Sequence, residues 1–500
     1  MAFQELLYVY LLFRLGLAHV PRNILHGAHS RQGGGCLRLW STLARGYVEL
    51  PPPAEKGRVG MYVCGPTVYD YIHIGNARPF IVFDALRRYL ESRGYEVIYV
   101  QNITDIDDKI INRAREEGSS PEEIAERFTR EYLEDLSALG VRLPTYQPRA
   151  RAYVDKMIEL IEELVTKGHA YVAGGDVYFS VRSFPNYGKL SGKSLDDLRA
   201  GARVEPGESK RDPLDFALWK AAKPGEPKWP SPWGPGRPGW HTECVVMSRE
   251  LLGETLDIHA GGNDLIFPHH ENEIAQAEAI SGKPFARIWL HNGMLTVKGE
   301  KMSKSLGNFY YARDIVELYG TEAVRYFYLS RHWRKPLDFS HEALEEARKA
   351  VEGVYGFLSE AEAAAGDLPL PEGLAAEIAG LEEKFHRELE DDFNTPGALA
   401  ALQGMANVGK RFVAEGGDRR ALGAVAHKIR ELAAPLGLFQ EKRAPSLSAR
   451  AEELIGLLVE LRSALRKERN FSLADAIREK LAALGVELKD TPQGTVWTLK

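Results

Sequence analysis

Residues 61–80 read MYVCGPTVYDYIHIGNARPF. The β-rich run Arg58 to Cys64 (RVGMYVC) halts at Gly65-Pro66, a turn signal. Phe80, Phe83, Leu86 and Leu90 then recur at helical spacing, and Gly94 stops the run. Glu96 to Val100 (EVIYV) reads as a second strand. Strand, helix and strand at this spacing make a βαβ unit and predict a parallel sheet. The turn His73-Ile74-Gly75-Asn76 leads into the helix. Glycine there lets backbone approach a ligand, and a helix N-terminus offers N–H groups and partial positive charge to phosphate. Taken alone, four residues are more often an ordinary loop with a histidine.

Further along, Pro121 to Leu139 and Ala150 to Lys167 read as amphipathic helices. Between Ala173 and Trp240 the pattern changes to short strands among Gly, Pro, Lys and Trp (PKWPSPWGPGRPGW), as in an insertion. Leu256 to Ala260 (LDIHA) and Trp289 to Gly293 (WLHNG) are strand-like and flank a helical Glu271 to Ile280, so a second βα half follows. From Ala343 to Phe439 nearly everything is helical. Ala444 to Ser448 reads as a linker, and two helices and a hairpin (VELKD-TPQG-TVWTL) close the chain.

A chain of 500 residues exceeds one simple core, so several domains are expected. Net charge of -6 argues against gross nucleic-acid binding by charge alone but not against a local basic surface. Cys36, Cys64 and Cys244 are too few for a disulfide scaffold and suit a reducing cytosol. Leu6 to Leu17 is apolar but broken by Arg14 and shorter than the roughly 20 residues of a membrane helix. Residues 1–36 are expected to be an extension with no role in the fold; an organellar transit segment is the lesser alternative.

Three groups of residues carry chemistry. Lys301-Met302-Ser303-Lys304-Ser305 sits between Gly299 and Gly307, where two ammonium groups could neutralise charge on a pyrophosphate leaving group. A solvated basic loop is the usual meaning of such a lysine pair. Cys64, Cys244 (in GWHTECVVM) and His269 with Glu273 (in FPHHENEIAQ, four apart on one helical face) are all ordinary zinc ligands. Separately, each has a bland reading as a buried thiol or a surface pair. Arg462 to Asn470 (RSALRKERN) with Lys480 is the best basic patch, and Trp497 could stack on a base or fill a small core.

The runs YVCGPTVYD, HIGN, NITDIDDK, DFALWK, GWHTEC, GGNDLIFPHHENEIAQ, KMSKSLGN and DDFNTP stand in one order from Leu37 to Lys500. In these the chain resembles the cysteinyl-tRNA synthetases, a class I aminoacyl-tRNA synthetase family. The resemblance implies an α/β fold. A Rossmann-like parallel-sheet catalytic domain (37–150 and 241–310) is split by a connective insertion (151–240). A stem-contact region (311–345), an α-helical anticodon-binding domain (346–443) and a small α+β C-terminal domain (449–500) follow.

It further implies one zinc ion on Cys64, Cys244, His269 and Glu273. Catalytic roles fall to His73, Asn76, Lys301 and Lys304. ATP with Mg²⁺ or the amino acid is met by Gly65, Thr67, His73, Gly75, Asn76, Trp240, Asp264 and Lys304. Substrates would be L-cysteine, ATP and tRNA(Cys), with no membrane partner; the family expectation is a cytoplasmic monomer. Asn76 departs from the class signature, which has histidine there; its amide bonds phosphate without carrying charge. A related cysteine ligase acting on a sugar-inositol amine is the runner-up, but it would lack the full helical end.

Overall fold

Val59, Met61, Tyr62 and Val63 are all buried, although neighbouring residues in a strand face opposite ways. A strand covered on both faces belongs inside a parallel sheet, and that is where the structure puts it. The structure, a computed structural model, describes residues 36–52, 57–195, 197, 209–302, 308–364, 366, 368–442, 447–491 and 494–499. The expectations for 1–35, for the 444–446 part of the linker and for Lys304 lie outside the described residues, while the linker's last two residues, Leu447 and Ser448, begin a helix.

Strands β1 (Leu37–Ser41) and β2 (Gly46–Leu50) form an antiparallel hairpin. Then come β3 (Arg58–Val63), α1 (Ile74–Ser92), β4 (Glu96–Gln101), α2 (Asp108–Glu117), α3 (Pro121–Ala138) and α4 (Val154–Thr166). Strands β5 (Ala170–Ala173), β6 (Asp176–Phe179), β7 (Phe216–Ala221) and β8 (Gly236–Pro238) form a separate antiparallel sheet. The chain returns through α5 (Trp240–Leu252), β9 (Leu256–Gly262), α6 (Glu271–Ser281) and β10 (Ala286–Asn292). The main sheet has the order β10-β9-β3-β4, and every pair in it is parallel. The chain steps from β3 to one side and, after the insertion, to the other. The crevice beyond the ends of β3 and β9 is therefore the topological switch point, where open α/β sheets bind ligands.

Strands β11 (Leu295–Val297) and β12 (Glu300–Lys301) precede α7 (Ala312–Tyr319), α8 (Thr321–Leu329) and β13 (Leu337–Phe339). The helical block is α9 (His341–Ala363), α10 (Glu372–Glu390), α11 (Thr395–Ala414) and α12 (Leu422–Ala433). It shares one apolar core with α1 and one side of the sheet, through Phe80, Phe83, Val351, Leu358, Phe385, Leu402 and Ile429. A second core between the sheet and the insertion holds Val154, Met157, Trp219, Val245 and Trp289. Helices α13 (Leu447–Lys467) and α14 (Phe471–Ala483) with the hairpin β14 (Val486–Thr491) and β15 (Gly494–Leu499) make the last unit.

Two readings change. The helix after the His73 turn starts at Ile74, six residues ahead of Phe80, with Pro79 inside it. In the basic patch, Arg462 is buried and its guanidinium donates to Thr495 Oγ1 at 3.3 Å, so it offers no charge to a partner. Trp497 is partly buried against Ile455, Val459, Leu481 and Val486, which favours the small-core reading.

Arg325 of α8 ties these parts together. It is buried and donates to Asp84 Oδ2 of α1 at 3.0 Å, to the carbonyls of Leu139 and Gly140, and to Leu436 O beyond α12. Removing one partner of a buried pair leaves an uncompensated charge. Arg325→Met is expected to cost about 3–5 kcal/mol in urea unfolding. The Arg325→Met/Asp84→Asn double variant should lose less than the sum of the two single losses.

Candidate active site

All four parallel strands end on one cleft of about 350 Å³. Cys64, Gly65 and Thr67 follow β3; Asn102 and Thr104 follow β4; Gly262 and Asp264 end β9; Asn292 to Leu295 end β10. Gly65 is required by packing: a Cβ there would lie 1.7 Å from Asn102 O. Its N–H donates to Asn102 Oδ1 at 2.8 Å, which locks the turn after Cys64 onto the loop after β4.

At the cleft wall, Cys64, Cys244, His269 and Glu273 offer donor atoms that all lie within 4.8 Å of one another. The chain stretches bringing them there are the end of β3, the first turns of α5, the turn before α6, and the first turn of α6. The sulfurs are 3.9 Å apart, and His269 Nε2 lies 3.6 Å from Cys244 Sγ and 2.8 Å from Glu273 Oε1. Metal–sulfur bonds of about 2.3 Å in a tetrahedron set two sulfurs about 3.8 Å apart. Donor types and spacing therefore fit a tetrahedral divalent ion. Trp240 stacks on His269 with ring centroids 4.2 Å apart and lines the cleft beside it.

The protein's own charges show what such an ion would meet. Burial works against ionised Glu273, yet His259 and His269 outweigh it and hold its carboxyl well below the usual range. His269, although buried, is pushed up to about 10 by Glu273. The hydrogen bond from Cys64 brings the Cys244 thiol down to about 6 against burial, while burial keeps Cys64 protonated. A protonated imidazole and a retained thiol proton occupy the place where a cation would displace both.

A second group overlaps the first. His259 and His270 join Cys64 and Glu273 within the same 4.8 Å. His270 Nε2 lies 3.2 Å from Cys64 Sγ, and His259 Nε2 lies 2.6 Å from Glu273 Oε2. Beyond them, His291 Nε2 meets His270 Nδ1 at 2.8 Å, and burial brings His291 down to about 3, so its ring is neutral. The sequence reading missed these three histidines. The signal lay in FPHHENE, where the second histidine was passed over, and in β9 and β10, where each histidine sits among buried residues. His259 and His270 do not line the cleft, whereas Cys64, Cys244 and His269 do.

His73 caps α1. Its Nδ1 accepts from Gly75 N at 3.0 Å and Asn76 N at 3.2 Å, while Asn76 Oδ1 accepts from His73 N at 3.3 Å. Ile74 N donates to Tyr310 O. Without a ligand, the helix-start N–H groups are therefore paired within the protein. Acceptance at Nδ1 puts the neutral ring's proton on Nε2. His73, Gly75 and Asn76 all line the cleft, as does Asp264 in the short turn Asn263–Leu265. The structure describes Lys301 only as part of β12, whose neighbour Met302 reaches the cleft. Lys109, Thr104 and Asn102 line it too and were not singled out from sequence. Their stretch, NITDIDDK, entered the reading only as a family signature.

The comparisons with known proteins agree with this geometry. Residues 51–349 match the family model "tRNA synthetases class I (C) catalytic domain", and residues 384–440 match the DALR domain. A Mycobacterium tuberculosis methionyl-tRNA synthetase in complex with methionyl-adenylate superposes with TM-score 0.59 at 15% identity, covering 80% of this chain and 94% of that one; this likeness concerns the fold alone. Sheet, switch-point cleft and matched model define a class I tRNA synthetase. Among the curated relatives named cysteine–tRNA ligase are the following two. That of Pseudothermotoga lettingae is 52% identical over 92% of this chain and 99% of its own length. That of Geobacter sulfurreducens is 51% identical over 93% and 100%. The chain belongs to the cysteine–tRNA ligase family.

Elemental analysis of the purified protein is expected to find one tightly held metal per chain. Cys244→Ala should weaken retention against a chelator at least tenfold and leave the circular-dichroism spectrum unchanged. Full metal retention in that variant would remove Cys244 from the ligand set.

Proposed function

We propose that the protein activates L-cysteine with ATP to cysteinyl-adenylate and transfers the cysteinyl group to the 3′ end of tRNA(Cys), with a zinc ion selecting the thiol. The observation that carries this reading is a single cleft lined by both Cys64, Cys244 and His269 and the His73-Gly75-Asn76 turn. A metal group and a nucleotide-type turn sharing one cleft suit a thiol substrate held beside ATP.

Zinc on Cys64, Cys244, His269 and Glu273 would take the substrate sulfur as a thiolate, a soft ligand that a serine hydroxyl cannot replace. Shape alone discriminates poorly between side chains of similar size, at about 1–3 kcal/mol per methylene. Trp240, stacked on His269, offers an aromatic face to the cleft beside that site. The substrate carboxylate attacks the α-phosphorus of ATP, and pyrophosphate departs with Mg²⁺. His73 donates from Nε2 to phosphoryl oxygen, held in that tautomer by its own cap. The Asn76 amide adds a neutral contact, and Gly65, Thr67, Gly75 and Asp264 shape the nucleotide's surroundings. Lys301 and Lys304 are assigned to charge on the leaving group. A ribose hydroxyl of the tRNA end then attacks the adenylate carbonyl and releases AMP. The helical block at 346–443 would take the anticodon arm; the full helical end argues against the sugar-inositol amine as acceptor.

Cysteine-dependent ATP–pyrophosphate exchange and tRNA charging are the direct tests. Both should fall by more than tenfold after chelation and return with Zn²⁺. Serine should fail to support exchange even at high concentration; robust serine activation with metal bound would refute thiol selection. For Lys304→Ala, adenylate formation is expected to slow by about 100-fold, the scale of a lost transition-state contact, while the dissociation constant for cysteine stays within twofold. Equal losses in both would make the lysine structural.

A further inference from the structure

We infer that Arg78 is a positioning residue for ATP: from inside the fold it fixes the Gly293–Leu295 wall of the cleft. Arg78 lies in the second turn of α1, just past the His73 turn, and is completely buried. Among the described residues its guanidinium has no carboxylate partner. Nη1 donates to Gly293 O at 2.5 Å and Met294 O at 3.0 Å, and Nη2 donates to Lys335 O at 2.6 Å and His332 O at 3.4 Å. A buried charge costs free energy unless it is hydrogen-bonded, and here four carbonyl dipoles supply the compensation. Burial lowers its pKa only to about 10, so it stays charged at neutral pH.

Those four carbonyls belong to two segments that lead into the parallel pair β11 and β13, and Arg78 bridges them just ahead of that ladder. One is the end of β10 and its continuation, where Gly293, Met294 and Leu295 line the cleft. The other is the turn at 332–335. Gly293 N also donates to Trp333 O at 2.8 Å, and a Cβ on Gly293 would strike Lys335 O at 2.4 Å. The wall is thus seated on that turn with no room to spare. The turn is itself held from outside: Trp333 Nε1 donates to Asp392 O at 2.7 Å, and Arg334 Nε to Asp392 Oδ2 at 2.6 Å.

The wall runs directly into β11, whose Thr296 pairs with Lys301 of β12. It therefore leads to the lysine loop, while none of its residues belongs to the metal group. The inference rests on the functional reading above, which puts ATP at the His73 turn and the lysine loop. A lysine could not replace Arg78, because an ammonium is a point donor and cannot span two segments as a planar fork does. Misplacement of about 1 Å can cost a reaction about 100-fold.

The test compares Arg78→Lys with Gly293→Ala, which would push the same wall off the turn while keeping the guanidinium. For both, pyrophosphate exchange should show the KM for ATP raised at least tenfold, the KM for cysteine within twofold, and unchanged metal content. Direct calorimetric titration with ATP and with cysteine should reproduce that split. If Arg78→Lys does not fold, Gly293→Ala decides alone. Equal rises in both KM values, or a fall in kcat with both KM values unchanged, would overturn the inference. Wild-type activation of cysteine would still stand in that case, so the two readings fail separately.

Discussion

The site depends on the parallel pairing of β3 with β9. Met61, Tyr62 and Val63 face Ile258, His259 and Ala260, and Cys64 N continues the ladder to Ala260 O at 3.2 Å. Parallel strands need a crossover connection. Here the crossover holds another strand of the sheet and an entire antiparallel domain, so Cys64 meets Cys244 across 180 residues of chain. Such non-local pairing is slow to form because loop closure precedes any compensating contact. Once formed, it fixes the end of β3 beside the stretch that carries every other candidate metal ligand.

That stretch concentrates an unusual density of titratable groups out of water. Glu273 is wholly buried and is bracketed by His269 on one oxygen and His259 on the other. Two quartets share Cys64 and Glu273, and burial with access decides between them. The pair Cys244 and His269 opens on the cleft, where a substrate sulfur could approach; His259 and His270 sit behind it. The inner histidines are thus better suited to orienting first ligands than to meeting substrate, as hydrogen-bonded partners behind metal sites do. The chain of contacts from His270 to His291 to Thr42 carries that orientation out to the β1–β2 turn.

Much of this was legible in the sequence, and the reasons for the rest are physical. Strands β3, β4, β9 and β10 were found because a two-sided buried strand is a short apolar run with turn signals beside it. The start of α1 was missed because Pro79 disfavours a helix interior. The capping box at His73 and the packing of Ile74 and Ala77 stabilise the earlier turn all the same. Arg462 looked like surface because sequence periodicity cannot tell which face of a helix a later hairpin will cover. His259, His270 and His291 were invisible for a deeper reason. A buried neutral histidine resembles any other core residue until its neighbours are known.

The two halves of the cleft differ in how they are held. The metal half is built from side chains, and a cation that bridges four segments would contribute to folding as well as to selection. The half proposed for the nucleotide is built largely from backbone: Gly65 against Asn102, and Gly293 against Lys335. Backbone walls are set by what packs behind them. In this chain those backing groups include Arg78, Tyr328, whose hydroxyl donates to Ile74 O at 2.6 Å, and Arg325. Tyr328 and Arg325 both lie on α8, which also packs on the helical block through Thr395 and Leu329. On the proposed reading, selection of sulfur would therefore be a property of local donor chemistry. On the same reading, placement of the nucleotide would depend instead on how firmly the helical block holds α8 and the 332–335 turn against α1.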